Sequence, residues 1–551
     1  RLLVLLLLFT LPCFSQSSVT RAKVKALADE LYAHRSNDTP GAQVLVMQKG
    51  EVLFTGHYGL ANLEHQVPVT ENTVFDLASI AKMFTGYAIA SLAEAGKLDV
   101  DADIRTYLPN FPGLGHTITV KHLLHHTSGI RNWTNLIYNA AWSSRDRITY
   151  ENLRHLIYAQ KGLDFTPGSR YQYSNSGYVL LAQIVEEVSG TTFQDWLKKH
   201  VFTPLEMEST LFNHSPAQII PHLAQGYYVD NEGREARDYN NTAALGSSSL
   251  ISNAKDMQKW MAFLLHPPAD KQGTVRRMFS TSPLNNGETN TYAYGIDMDE
   301  YRGTSYITHS GSWVSHTSYL LLLPEHDAAI FLAHNFRTYN RPIANELADL
   351  FLPTKEEAQE TEGTTEVFVE AKVDSNLMEE YTGLYKLGPG WYLNITHEEG
   401  YLFTESTSEP KFIMLPINDT TFLVPAYNNR TITFLRNKAG KIDALNYNEQ
   451  RRERAPANEF HSQLSNVAPL LGTYYSHELG LLYEFTHQDN LLKAFNVKTG
   501  ALTVAQLEDD LYFVDGVLSK ILFHRDANNV VTGFTMTNSR KEMRWTFAKA
   551  K

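Results

Sequence analysis

The sequence predicts an α+β unit, an antiparallel sheet flanked by helices, followed by two small all-β units. Three observations carry this expectation. Hairpin-like apolar runs lie at 41–54 and 317–333, with helical stretches between them. An acidic stretch beginning at Pro353 separates this part from the rest. Beyond it, one pattern of short alternating strands occurs twice.

In chain order, Val44-Leu45-Val46-Met47, a Gln48-Lys49-Gly50 turn and Val52-Leu53-Phe54 form the first hairpin. Residues 79–95 read as a helix closed by Gly96. Its apolar residues Ile80, Met83, Phe84, Tyr87, Ile89 and Leu92 spread around the cylinder, so this helix is expected to be buried. Residues 120–125 form a short helical stretch, ended by His126-Thr127-Ser128-Gly129, which reads as a structural turn. The polar-aromatic segment 132–163 reads either as a cleft wall or as a helical excursion. Residues 178–188 form another apolar helix before Ser189-Gly190. Two apolar strands, 317–323 and 328–333, flank Pro324-Glu325-His326-Asp327, and a helix over 341–351 closes the unit.

The domain limits expected are 18–352 for the α+β unit, 353–375 for an acidic linker, 376–462 for the first β-unit and 463–551 for the second. Tyr381-Thr382-Gly383-Leu384-Tyr385 returns as Leu471-Gly472-Thr473-Tyr474-Tyr475, and Phe434-Leu435-Arg436-Asn437 as Phe523-His524-Arg525-Asp526. The constant offset marks a duplication of a barrel-like unit.

Composition narrows the function classes. The chain has 551 residues, with 43% hydrophobic and 20% charged, which excludes a disordered chain and a polytopic membrane protein. A net charge of −12 gives no basic face for nucleic acid. One cysteine excludes a disulfide framework and a thiolate zinc site. Arg1, the apolar run 2–9 and the small residues after it read as a signal peptide over 1–15. Pro12 beside Cys13 argues against a lipid anchor. The mature chain is expected to be exported, periplasmic or extracellular, without a transmembrane segment. Asn37 and Asn132 head glycosylation sequons that matter only in a eukaryotic secretory pathway.

Chemistry enters with Ser79-Ile80-Ala81-Lys82. Three residues apart on a helix, the hydroxyl and amine share a face, and a lysine of lowered pKa can take the serine proton. The tetrad recurs as Ser252-Asn253-Ala254-Lys255, which precedes the helical stretch 256–265 and so reads as an N-cap. Tyr173-Ser174-Asn175 is a Y-x-N, echoed at Tyr239-Asn240-Asn241 and Tyr427-Asn428-Asn429. His309-Ser310-Gly311 is an H-x-G, echoed at His57-Tyr58-Gly59. Order and context choose among the copies: Ser79 on a buried helix, Tyr173 in a loop, His309 on a strand.

In that order the motifs resemble those of the penicillin-recognising serine hydrolases: S-x-x-K, then S-x-N or Y-x-N, then K-T-G or H-x-G. His126-Thr127-Ser128-Gly129, the run 167–178 and 246–252 followed by Asp256 are similar to further signatures of the class C β-lactamase-like branch. That branch also holds DD-peptidases, D-aminopeptidases and esterases.

The resemblance implies a β-lactamase/transpeptidase-like fold and a set of roles. Ser79 is the acylated nucleophile, and Lys82 and Tyr173 share the acid and base work. Asn175 orients Lys82 and the substrate amide. His309 edges the cleft where many relatives carry Lys. Ser310 and Gly311 bind substrate, Gly311 by allowing close backbone approach. The backbone N–H groups of Ser79 and Ser312 form the oxyanion hole. Trp313 and His316 either line the pocket or simply pack. No metal or cofactor is implied.

The expected activity is that of an exported D-stereospecific peptidase or amidase, acting on a small peptide, amide or ester. Esterase or weak β-lactamase activity uses the same residues, and a ligand-binding envelope scaffold is the non-enzymatic alternative. An ordinary imidazole at 309 is expected to make turnover change between about pH 5 and 8.

Overall fold

The computed structural model describes residues 19–35, 38–142, 146–229, 234–352, 371, 373–388, 391–398, 400–406, 411–424, 430–447, 450–455, 467–488, 491–508, 510–514, 519–537 and 544–550. The expected leader 1–15, the acidic stretch 353–370 and the Tyr427-Asn428-Asn429 copy lie outside these residues.

The strands β1 (Ala42–Gln48), β2 (Glu51–Tyr58), β3 (Asp297–Tyr301), β4 (Thr304–Trp313), β5 (His316–Leu323) and β6 (Ala328–His334) form one antiparallel sheet. Their order is β3-β4-β5-β6-β1-β2. Lys49 and Gly50 join β1 to β2 with φ of 52° and 74°, the left-handed pair that a tight hairpin turn requires. β1 then pairs with β6, from Ala42 opposite His334 to Gln48 opposite Ala328.

Successive side chains face opposite sides of the sheet, and both sides are covered. Leu45, Met47, Leu320, Leu322 and Phe331 pack against the main helical layer. Val44, Val46, Leu321, Leu323 and Leu332 pack against α1 (Arg21–Leu31) and the helix Asn340–Ala348. Burial on both faces explains why β5 and β6 read as continuous apolar runs.

In the helical layer, α2 (Ala81–Glu94) is buried around almost its whole circumference. α3 (Val120–Leu124) starts at a capping box between Thr119 and His122. The segment 132–163 folds as α4 (Trp133–Asn139), capped by Asn132, and α5 (Tyr150–Tyr158), capped by Thr149. α6 (Asn175–Ser189) stops at Gly190, whose φ of 67° is the left-handed C-terminal stop.

Each C-terminal unit is an eight-stranded antiparallel sheet. The second closes into a barrel from Gly472–Ser476 to Arg544–Lys549, and in the first a bridge between Tyr385 and Arg454 brings the ends together. The duplication is visible in detail. Tyr385 Oη donates to the Tyr381 carbonyl at 2.8 Å, and Tyr474 Oη to the Leu470 carbonyl at 2.9 Å. Aromatic side chains fill the second barrel, with Phe534 stacked on Phe547 at 4.4 Å and Tyr474 edge-on to Phe485 at 5.2 Å. The first barrel has its own core, whereas the core of the second runs into that of the helical layer. No helix among the described residues is long and apolar enough to cross a membrane.

Candidate active site

The approach to α2 is backbone chemistry first. Ala78 is buried with φ of 47°, a left-handed conformation that costs a non-glycine residue energy. Its N–H donates to Asp76 Oδ1 at 2.8 Å, which holds the bend. A 3₁₀ turn, Ala78–Ile80, follows and feeds α2 without a side-chain cap. Ser79 therefore starts the helix and Lys82 lies one turn on, on the same face.

Lys82 is fully buried, and its Nζ contacts three oxygens: Ser79 Oγ at 3.0 Å, Asn175 Oδ1 at 2.8 Å and the Ser247 carbonyl at 2.7 Å. Burial holds the amine well below the usual lysine range. The Tyr173 ring lies 4.8 Å from Nζ. Burial pushes the Tyr173 phenol up, opposed by its hydrogen bond with Ser79. Five sequence candidates, Ser79, Lys82, Tyr173, Asn175 and His309, thus form one cluster.

His309 departs from expectation. Its Nδ1–H donates to the Ser310 carbonyl at 2.6 Å, and its Nε2 accepts from Tyr292 Oη at 2.8 Å. Burial, and secondarily the Lys82 charge, lower its pKa to about 3. A titration of His309 between pH 5 and 8 is therefore corrected: the ring is neutral across that window.

Gly311 has a packing reason of its own. A Cβ there would overlap the Leu77 carbonyl oxygen and Ser318 Oγ, so the missing side chain lets β4 press against the turn that carries Ser79. Ser310 and Ser312 are exposed on the same strand. β3 pairs with β4 only as far as Thr308, so among the described residues no strand covers the outer edge of β4 from His309 onward.

The second tetrad resolves differently. Ser252 ends the strand Leu250–Ser252, and its Oγ shares a 2.7 Å hydrogen bond with Thr210 Oγ1. The copy does supply the N-cap of the following helix, through Asn253, and Lys255 is exposed. The histidine of 126–129 stays a structural element: its Nδ1 accepts the Ser174 N–H at 3.1 Å and its ring lies 4.2 Å from that of Tyr173. His316 is buried with both nitrogens against the Val314 and Ala224 carbonyls, so it packs, whereas Trp313 is half-exposed.

Sequence reasoning missed a ring of supports. Asp76 Oδ2 accepts from Asn240 Nδ2 at 2.6 Å, and Asn240 Oδ1 accepts from Trp313 Nε1 at 3.2 Å. Trp313 packs edge-on against Trp133 at 5.3 Å, and Trp133 Nε1 donates to Ser247 Oγ at 3.2 Å. Ser247 returns to Lys82 through its carbonyl. Asn240 belongs to the second Y-x-N copy, and its spacing gave no hint of this place. Tyr292 is one of 29 tyrosines and had no distinguishing signal either.

A serine hydroxyl against a buried lysine amine, with a tyrosine ring beside it, is an arrangement that can support nucleophilic catalysis. The chain belongs to the beta-lactamase family, whose model, described as "Beta-lactamase", matches residues 21–351. It is 27% identical over 441 residues to Penicillin-binding protein 4* of Bacillus subtilis (strain 168), covering 77% of this chain and 95% of that protein. The fold is shared with the octameric penicillin-binding protein homologue from Pyrococcus abyssi, at 20% identity and a TM-score of 0.54, over 86% of this chain and 97% of that one. It is also shared with the penicillin binding protein from Bacillus halodurans, at 22% identity and a TM-score of 0.51, over 60% and 99%.

Proposed function

We propose that this protein is an exported D-stereospecific peptidase or amidase, of the DD-carboxypeptidase or D-aminopeptidase type, working through a Ser79 acyl-enzyme. The observation that carries the reading is the buried Lys82 amine held between Ser79 Oγ and Asn175 Oδ1. With the amine neutral, two N–H bonds reach Asn175 Oδ1 and the Ser247 carbonyl, and the lone pair faces the Ser79 hydroxyl. Ser79 Oγ attacks the substrate carbonyl carbon as its proton passes to Lys82. The N–H groups of Ser79 and Ser312 hold the oxyanion. On collapse the C–N bond breaks, and the Lys82 proton returns through the Tyr173 hydroxyl to the leaving amine. Water then cleaves the ester, with Lys82 and Tyr173 again moving the proton, to give the acid and free Ser79.

One observation favours a second reading, hydrolysis of small esters. His309 is neutral and both its nitrogens are engaged, so it supplies no cation for a substrate carboxylate. The relation to a penicillin-binding protein supports testing with a β-lactam probe. Incubation with a fluorophosphonate or labelled penicillin, followed by intact mass and peptide mapping, is expected to show one adduct on Ser79. Turnover of D-Ala-D-Ala peptides, D-aminoacyl amides, nitrocefin and p-nitrophenyl esters then separates the two readings. Exclusive ester turnover overturns the peptidase assignment, and no adduct overturns both.

A further inference from the structure

The Tyr173 motif is held by a segment whose own anchor lies in the second barrel. Three consecutive residues, Ile130 to Asn132, grip three others, Ser174 to Ser176. Ser174 Oγ donates to the Ile130 carbonyl at 2.9 Å, and Ser176 Oγ donates to the Arg131 carbonyl at 2.6 Å. Between them, the Asn175 N–H donates to Asn132 Oδ1 at 3.1 Å. The backbone position of Arg131 therefore fixes where Tyr173 and Asn175 stand relative to Ser79 and Lys82.

The Arg131 side chain points the other way, into a buried polar knot. Its guanidinium donates to Glu478 Oε2 at 3.0 Å and to Gln160 Oε1 at 2.9 Å, and lies 3.5 Å from Asp164. Glu478 comes from the turn between the first two strands of the second barrel, Gly472–Ser476 and Leu481–Gln488. The same Oε2 accepts the Lys161 N–H at 3.1 Å, and the Glu478 carbonyl accepts from Gln160 Nε2 at 3.3 Å. Trp545, on the last strand of that barrel and fully buried, donates to Gln160 Oε1 at 3.3 Å and lays its ring 5.6 Å from the guanidinium. A bond between two ionised, desolvated groups is stronger and more directional than a neutral one.

We propose that Glu478 is a positioning residue: through Arg131 the second barrel sets the geometry of Tyr173 and Asn175, and is thus part of the catalytic apparatus. This rests on the reading of Ser79, Lys82, Tyr173 and Asn175 given above. A displacement of about 1 Å at such a site costs on the order of 100-fold in rate. Glu478→Ala is therefore expected to lower kcat about 10- to 100-fold with a smaller change in KM. Glu478→Gln, which keeps the shape and the Lys161 contact, falls between it and wild type.

Lys498 supplies the control. It reaches from the same barrel to Asp146 at 3.7 Å and over the Trp142 ring at 4.2 Å, without touching 130–132. Lys498→Ala is expected to leave kcat within about twofold of wild type, as expected for a partly exposed pair. The full-length variants are compared on one substrate, with kcat divided by the fraction of sites titrated by a fluorophosphonate, so that loss of folded protein does not count as loss of rate. Wild-type kcat per titrated site in Glu478→Ala, or an equal fall in Lys498→Ala, overturns the proposal. Where Glu478→Ala does not fold, Glu478→Gln decides by the same measure: wild-type kcat overturns the proposal, and a fall absent from Lys498→Ala supports it. Ser79→Ala runs alongside. Residual turnover there overturns the site reading itself, and the proposal with it, which distinguishes the two failures.

Discussion

Ser79-Ile80-Ala81-Lys82 and Ser252-Asn253-Ala254-Lys255 differ at one position, yet only the first brings its two reactive groups together. The differing residue explains why. Asn253 accepts the Asp256 N–H at 3.0 Å, so the helix Ala254–Leu265 begins after it, and Ser252 is left outside on a strand. Ile80 has no oxygen to cap with, so the turn begins at Ala78 and Ser79 lies inside it. The lysines then diverge: Lys82 is buried beside its serine, and Lys255 faces solvent. The spacing of the tetrad acquires chemical meaning only where the helix starts early enough to include the serine.

The largest expected effect breaks the comparison outright. Ser79→Ala should lower kcat by about four to six orders of magnitude and abolish fluorophosphonate labelling. Ser252→Ala should leave labelling intact and cost roughly 1 kcal/mol of stability through the lost Thr210 bond, read from urea denaturation. Labelling that survives Ser79→Ala removes the distinction.

Next comes Lys82. Lys82→Gln should lower kcat by about 10²- to 10⁴-fold. Its folded pKa is depressed by burial, and only the neutral amine accepts a proton, so the wild-type rate should rise with pH through that titration. A pH–rate profile of Lys82→Gln should lack this limb, and its persistence would assign the limb to another group.

The supporting ring sharpens the contrast: it returns to Lys82, whereas the bonds around Ser252 run to Thr210, Asp256 and Gln43, and Lys255 is exposed. Asn240→Ala removes the partner of both Asp76 and Trp313 and should reduce kcat/KM about 10- to 100-fold, with labelling at Ser79 retained but slowed. An unchanged labelling rate would reduce the ring to packing.

The last prediction concerns His309, whose replacement is read in stability rather than in rate. Its folded pKa of about 3 lies below the unfolded value near 6.5, so the unfolded chain binds the extra proton first. The stability tied to the neutral ring is complete above about pH 6.5 and falls as pH drops toward 3, by about 1.4 kcal/mol per pH unit. His125, held at about 4, and His334, held at about 3, act in the same direction. Urea denaturation at pH 7, 6, 5 and 4 should show this loss, and His309→Gln should make it shallower by one proton. A pH-independent midpoint would contradict the burial argument.

Much of this was legible in the residues. The hairpin 44–54, the two apolar strands and the barrel duplication follow from periodicity and turn chemistry, which are local. Ser79, Tyr173 and His309 were found by order along the chain. Asp76, Asn240 and Tyr292 were not, because each gains its place from contacts between segments distant in sequence; Ser247 lay within the run 246–252, but its contact with Lys82 was not legible there. The ionisation of His309 was misjudged for the same reason: its spacing carries no record of burial. The docking of the second barrel through Glu478 was equally silent, since one glutamate in a turn resembles any other.

The pairing of β1 with β6 sets the order of events in folding. β1 is laid down early by the ribosome, but its partner does not exist until residues 328–334 have been made. Until then one edge of the β1–β2 hairpin, carrying Val44, Leu45, Val46 and Met47, has no neighbour. Loop-closure entropy over so long an interval makes this pairing slow, and an open apolar edge is a template for other chains. A chain cut before residue 328 is therefore expected to leave the apolar edge of β1 without its native cover, and to aggregate more readily than the whole domain.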